Sequence, residues 1–229
     1  MVNDIIKMLR EAGVSSRPVE PTVWVDTGSY ALNWVISGKY NRGLPIGCMI
    51  QVKGDASTAK SVFVASILGS AQKKGYHVAL ADAENTLSPD FASHFGLDTE
   101  NLIYCDPTSV PPSIEGTFEW LAKVISTIRE ADPEDTTPII LALDSLPVLS
   151  PEKEFEEEKD KKKVKKHVVS HVQQNTDGMI RAKLIGGGLR KINGLLGDFN
   201  ATLLIVNQIR TKINVWGPAS TTNAAEGKG

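Results

Sequence analysis

Cysteine is scarce in this chain. Among 229 residues only Cys48 and Cys105 occur. Each stands beside an apolar run, which argues against a disulfide framework and for two small buried thiols in a reducing, cytoplasmic setting. No apolar stretch approaches ~18 residues, so no membrane-spanning helix is expected. The opening "MVNDIIKMLREAGV" sets charges between Ile5, Ile6, Met8 and Leu9 at helical spacing, unlike the apolar block of a signal peptide. An excess of one charge is missing too: 25 basic and 27 acidic residues leave −2. Nucleic-acid binding, if any, must therefore come from local basic patches and not from a polycationic surface. No internal repeat is visible.

What is present is enough for one sizeable core, with 41% hydrophobic and 23% charged residues. From residue 48 onward, the apolar runs "CMIQV", "HVALA", "LIYC", "PIILAL" and "TLLIV" alternate with helical stretches at 60–74, 88–96, 113–130 and 177–198. The alternation predicts an α/β fold of βαβ units, a mostly parallel twisted sheet with helices on both faces. Runs such as "IILAL" lack polar alternation, as strands buried on both sides do.

Ahead of that core, residues 2–12 read as an amphipathic helix, and two prolines in "SSRPVEPT" stop it. We expect an arm over 1–16 and a core over 17–229; the arm docks either on its own domain or on a neighbouring subunit. The charged segment 151–167, "PEKEFEEEKDKKKVKKH", carries Glu157–Lys161 and Glu158–Lys162 pairs at i,i+4, each worth ~0.3 kcal/mol to a solvated helix. It is a connector, or else its Lys161–Lys166 end touches DNA.

The stretch "VKGDASTAKSVF" is a phosphate loop of pattern G-x-x-x-x-G-K-[ST] with alanine at the second glycine position. Gly54, Asp55, Ala56, Ser57, Thr58 and Ala59 would turn backbone N–H groups toward a phosphate, at the positive end of the helix that follows. Lys60 would reach the β- and γ-phosphates and the Ser61 hydroxyl would ligate Mg²⁺. If position 59 requires a positive φ, its methyl adds strain on the order of 1 kcal/mol, which weakens such a site without abolishing it. Phosphoryl transfer also needs a metal-holding acid and a group that activates water. Asp144, ending the buried run "PIILALD", suits the first task; Asp82 and Glu84 follow the run "HVALA", and Glu84 is a plausible base.

Three further segments carry a resemblance. "DTGSYALNWVISGKYNRGLPIG", "ADAENTLSPDFASHFGLDTENLIYCDP" and "LLIVNQIRTKINVWGPASTT" occur in order around the two nucleotide motifs. Together they resemble the RecA family of ATP-dependent DNA recombinases, from about Thr27 to the last residues. The departure at the phosphate-loop glycine and the segment "DGMIRAKLIGGGLRK" are similar to phage recombinases of the UvsX type. The resemblance implies a RecA-like P-loop ATPase core that uses ATP and Mg²⁺. In it Lys60 and Ser61 bind phosphate and metal, Asp144 assists the metal, Glu84 activates water and Gln208 senses the γ-phosphate. Phe91 would stack on adenine, without the hydroxyl of the family's usual tyrosine, and Ser88 replaces the usual aspartate.

The resemblance further implies single- and double-stranded DNA as partners, a helical filament of identical subunits and no membrane partner. The setting it implies is the cytoplasm of a bacterial or phage-infected cell. The first DNA loop would fall around 151–177 and the second around 209–229. Arg181, Lys183, Arg190 and Lys191 make the helix between them basic on one side, opposite a stripe of Ile185, Leu189, Ile192 and Leu196. Arg210 and Lys212 extend that basic track, while Ile213 and Trp216 are either buried anchors or side chains that insert between bases. The glycines at 186–188 suggest a kink or a close backbone approach. Because the family core continues with further strands, the chain is expected to be incomplete beyond the second loop. Two rival functions are a weakly catalytic or non-catalytic paralogue that regulates a filament, and a ring-forming motor of the hexameric helicase kind.

Overall fold

The computed structural model describes residues 2–14, 21–108, 110–154 and 171–209. Most of the proline segment, most of the 151–167 insertion, and Arg210, Lys212, Ile213 and Trp216 lie outside the described residues. In chain order the elements begin with α1 (Val2–Glu11), β1 (Trp24–Val25), α2 (Tyr30–Ser37), β2 (Leu44–Pro45) and β3 (Met49–Gly54). Next come α3 (Lys60–Lys73), β4 (His77–Asp82), α4 (Pro89–His94), β5 (Ile103–Cys105) and α5 (Ile114–Ala131). The last are β6 (Ile139–Asp144), a 3-10 turn at Leu146–Val148, α6 (His171–Asp198) and β7 (Ala201–Gln208).

Five strands form one sheet in the order β3-β7-β6-β4-β5, and every pairing in it is parallel. The apolar runs predicted as strands are its strands. The antiparallel β1–β2 ladder pairs only Trp24 with Pro45 and Val25 with Leu44, too short to leave a periodic signal in the sequence. Parallel strands need crossovers, and the helices supply them on both faces.

Period two in the strands decides which face each side chain joins. Ile139, Leu141 and Leu143 pack with Phe118, Leu121 and Ile125 of α5 and with Ile192 and Leu196 of α6. Ile140 and Ala142 pack on the other face with Val64, Ile67 and Leu68 of α3. All six residues of β6 are buried, and each large side chain so buried contributes roughly 1.5–3 kcal/mol. The even-numbered series of β4, β6 and β7 on the α3 side ends at Asp82, Asp144 and Gln208. Parity alone thus delivers these three polar side chains to one face at the C-terminal edge of the sheet.

The predicted stripe of α6 is the one that packs, with Ile192 and Leu196 buried and Ile185 and Leu189 against them. Its glycine run lies within an unbroken helix. A Cβ at Gly188 would sit 2.5 Å from the Phe118 ring, so this glycine lets α6 cross α5 closely. Gly187 has nothing within 4 Å; the fold gives no such reason for it.

The opposite end of the sheet is tied down by Arg129. Its guanidinium donates to the carbonyls of Asp135 (2.7 Å), Thr137 (2.6 Å) and Phe199 (2.8 Å). That joins α5, the approach to β6 and the α6–β7 turn. The segment preceding the phosphate loop docks on α3, with Ser66 donating to the Thr27 carbonyl at 3.2 Å. Gly28, at φ 80°, permits the approach, since a Cβ there would lie 2.1 Å from the Ser66 hydroxyl. Cys48 and Cys105 are free thiols, as expected, but only Cys105 is buried and Cys48, at the entry to edge strand β3, is half-buried; desolvation pushes both thiol pKa values up.

Candidate nucleotide-binding and catalytic site

β3 ends at Gly54 and α3 begins at Lys60, so the loop between them caps a 14-residue helix. A Cβ at Gly54 would fall 2.7 Å from the Thr58 hydroxyl. That contact is what glycine permits at the loop's entrance. Thr58 Oγ1 donates to the Asp55 carbonyl at 2.9 Å and Lys60 Nζ to the same oxygen at 2.6 Å, which folds Asp55 and Ala56 over the turn. The N-cap is Ala59, with no side-chain capping bond, so no side-chain oxygen competes for the first-turn amides at the positive end of α3. These amides are donors for an anion.

Ala59 adopts φ 61° and ψ 29°, and Ser57 a φ of 59°. Position 59 therefore does need the left-handed conformation, which disfavours an L side chain by roughly 1–2 kcal/mol. The chain carries this strain in a complete loop. Ala59→Gly is expected to stabilise the fold by about 0.5–1 kcal/mol, the relief of strain less the extra unfolded-state entropy of glycine. A urea denaturation midpoint unchanged or lowered in that variant contradicts the assignment of strain.

The loop opens into a cleft of about 210 Å³. It is lined by Ser57 to Ser61 together with Glu84, Phe91, Asp144 and Gln208. The structure thus brings the predicted residues Ser57–Ser61, Glu84, Phe91, Asp144 and Gln208 to one cleft, while the predicted Gly54, Asp55 and Ala56 belong to the same loop but are not in its lining. Asp144 is 6% exposed. Burial, the first cause, raises its pKa; the Ser61 hydroxyl bond pulls it down; Glu84 and Asp82 raise it further, and Lys60 lowers it. A carboxylate so loaded favours a cation beside it. Ser61 and Asp144 as donors, with free loop amides and one lysine, fit a Mg²⁺–triphosphate.

Glu84 lies just beyond β4, and its Oε1 accepts two bonds. One comes from the Ser145 hydroxyl and the other from Gln208 Nε2 at 3.2 Å. The carboxylate is held in orientation while Oε2, engaged by neither, can take a proton. Ser145 was not anticipated from sequence, although its place directly after Asp144 was a usable clue. Gln208 stands in register with Gly54, and the next amide, Ile209 N–H, donates to the Gly54 carbonyl at 3.1 Å. Phe91 is 44% exposed at the cleft rim, edge-on to Phe95 at 5.0 Å.

Arg190 is elsewhere. It is exposed on α6, in a groove of about 460 Å³ against α5 that also holds Lys183, Lys191, Glu115 and Glu119. The cations on this helix thus share the groove with two acids of α5, which makes the groove mixed in sign. Arg181 is used internally, donating to the Pro147 carbonyl.

A parallel sheet, a phosphate loop between its β3 and α3, and carboxylates at the C-terminal strand edge define a P-loop nucleotide-binding α/β domain. The family model described as the RecA N-terminal domain matches residues 13–228. The chain belongs to the RecA family. It is 28% identical over 212 residues to Protein RecA of Nautilia profundicola, covering 91% of this chain and 52% of that protein. It is 29% identical over 212 residues to Protein RecA of Helicobacter hepaticus, covering 91% and 53%. With Protein RecA of Streptomyces avermitilis it shares 30% over 210 residues, covering 91% and 48%. The chain thus spans about half the length of these curated relatives. Among the described residues no helix is long and apolar enough to cross a membrane.

Proposed function

We propose that the chain is an ATP-dependent DNA recombinase that binds single-stranded DNA as a helical filament and promotes homologous pairing and strand exchange. Lys60 and the loop amides grip the phosphates; Ser61 and Asp144 hold Mg²⁺. When bound there, Mg²⁺ would supply positive charge against the transferring phosphoryl group. Glu84, oriented by Ser145 and Gln208, accepts the proton of the attacking water. Arg190, Arg210, Lys212, Ile213 and Trp216 contact DNA, the cations at phosphate and the apolar pair between bases. α1 docks on a neighbouring subunit, and the protein works in the cytoplasm of a bacterial or phage-infected cell.

One observation carries this reading. Gln208 is bonded to the base Glu84 at 3.2 Å, and the backbone leaving it is bonded to Gly54 at 3.1 Å. A group at the terminal phosphate therefore bears on the start of the segment from 209 onward, the segment read as the second DNA loop. The test is affinity for a fluorescent single-stranded oligonucleotide without nucleotide, with ADP and with a non-hydrolysable ATP analogue. We expect binding at least about tenfold tighter with the analogue than with ADP, a coupling of about 1.4 kcal/mol. Equal affinity in all three states removes the recombinase reading. Strain at Ala59 favours a second reading, a weakly catalytic paralogue that regulates a filament. Strand exchange between homologous DNA molecules by the purified chain alone rules that one out.

A further inference from the structure

Asp82 is the carboxylate at the sheet edge that the proposed chemistry leaves unused. It is 2% exposed. Its Oδ2 accepts three hydrogen bonds, from the amides of Thr86 (2.9 Å) and Leu87 (2.8 Å) and from the Tyr104 hydroxyl (2.9 Å). Burial, then the bond and charge of Asp82, push the Tyr104 pKa up, so the phenol stays a donor. All three bonds are on one oxygen. Oδ1 is buried and has no partner among the described residues. A carboxylate kept only to pin the 83–87 turn needs no more than Oδ2, yet a buried carboxylate oxygen left bare is disfavoured.

The surroundings indicate what Oδ1 meets. Asp82 lines a narrow chamber of about 30 Å³ whose other polar walls are Ser61, Asp144 and Thr86, and which Leu80, Leu87 and Phe91 close. That is above the roughly 10–15 Å³ one water requires, with the two or more polar partners a buried water needs. Asp82 stands directly opposite Asp144 in the β4–β6 ladder, and both continue the series of side chains that faces α3. The chamber therefore adjoins the two residues assigned to Mg²⁺. Among the described residues no three His, Cys, Asp or Glu side chains converge to hold a metal directly. Mg²⁺ characteristically keeps several of its waters, and those waters are donors that need fixed acceptors.

We propose that Asp82 Oδ1 accepts a hydrogen bond from a water of the nucleotide-bound Mg²⁺, seated in this chamber, which makes Asp82 a positioning residue for the metal side of the cleft. The proposal rests on the reading of the cleft as an ATP–Mg²⁺ site. Asp82→Asn keeps size and keeps an oxygen for Thr86 and Leu87, but presents a donor where the water needs an acceptor.

The experiment titrates MgCl₂ into wild type and Asp82→Asn at fixed fluorescent ADP, with melting temperatures recorded in parallel. We expect the Mg²⁺ half-saturation point to rise roughly tenfold in the variant, with the two proteins converging at saturating Mg²⁺. Tyr104→Phe, which takes a donor from Oδ2 alone, is the control for pinning: its melting temperature falls and its Mg²⁺ half-point stays. An Asp82→Asn half-point equal to that of wild type overturns the proposal, whatever the melting temperature does, and leaves the ATP site intact. A wild type that binds ADP neither with nor without Mg²⁺ overturns the ATP-site reading and this inference with it. Should Asp82→Asn fail to fold, a high-resolution crystal structure of wild type with ADP and Mg²⁺ decides. A metal-bound water within about 3.2 Å of Oδ1 supports the assignment; a dry Oδ1, or a water out of reach of the metal, refutes it.

Discussion

Lys60→Ala is expected to lower affinity for ATP at least about 100-fold while leaving the fold intact. Among the described residues lining the cleft, Lys60 is the one cation, set against the carboxylates of Glu84 and Asp144. Removing it leaves two negative groups facing a polyanion, with neutral amides and hydroxyls as the protein's remaining donors among the described residues of the cleft. A unit-charge pair at 4 Å in a setting of effective dielectric 20 is worth about 4 kcal/mol, and a factor of 100 needs about 2.7 kcal/mol, so the estimate already discounts solvent screening. Lys60 makes a bond to the Asp55 carbonyl, at 2.6 Å, on the accessible side of the loop. Its loss there changes stability little. Titration of a fluorescent ATP analogue against both proteins, with circular dichroism as the fold check, measures the effect. A variant that binds within threefold of wild type shows that the loop does not grip phosphate through this lysine.

What sequence made legible here is what local periodicity and loop chemistry fix. The three inner strands β4, β6 and β7 were readable because a run such as Ile139–Leu143, covered on both faces, has no polar alternation; β3 and β5, at the edges of the sheet and only partly covered, were legible from their short apolar runs. The strain at Ala59 was readable because a phosphate loop needs a left-handed residue before its lysine, and alanine resists that conformation. Asp144 could be placed at a strand end for the same reason of length and pattern. Contacts set by strand order were another matter. Glu84 and Gln208 are 124 positions apart, and their bond exists only because the order of the sheet brings the ends of β4, β6 and β7 to one edge. The Tyr104–Asp82 bond depends likewise on β5 pairing with β4. No composition or spacing encodes either. Helix α6 shows an intermediate case: its apolar stripe was legible from periodicity, but the Phe118 ring under Gly188 belongs to another helix, and the acids facing Arg190 come from α5.

Glu84→Gln carries the second large effect, and it separates chemistry from binding. Glutamine keeps the length of the side chain and an oxygen able to accept from Ser145 and Gln208, so the bonds that orient position 84 survive. It has no basicity to take a proton from water. General-base catalysis typically contributes 10²–10⁴-fold, about 2.7–5.5 kcal/mol of barrier, and that is the loss expected in the rate of ATP hydrolysis. Affinity for ATP should change little, because the phosphates are held by Lys60 and the loop amides and the metal by Ser61 and Asp144. Removing a negative charge from the cleft even favours the polyanion slightly. The variant should therefore retain the ATP-bound state and, with it, the tight hold on single-stranded DNA, now without turnover. Single-turnover hydrolysis and oligonucleotide affinity measured on one preparation test both halves. Hydrolysis within tenfold of wild type would move the base elsewhere. Hydrolysis lost together with ATP affinity would instead mean that Glu84 shapes the cleft and does not act on water.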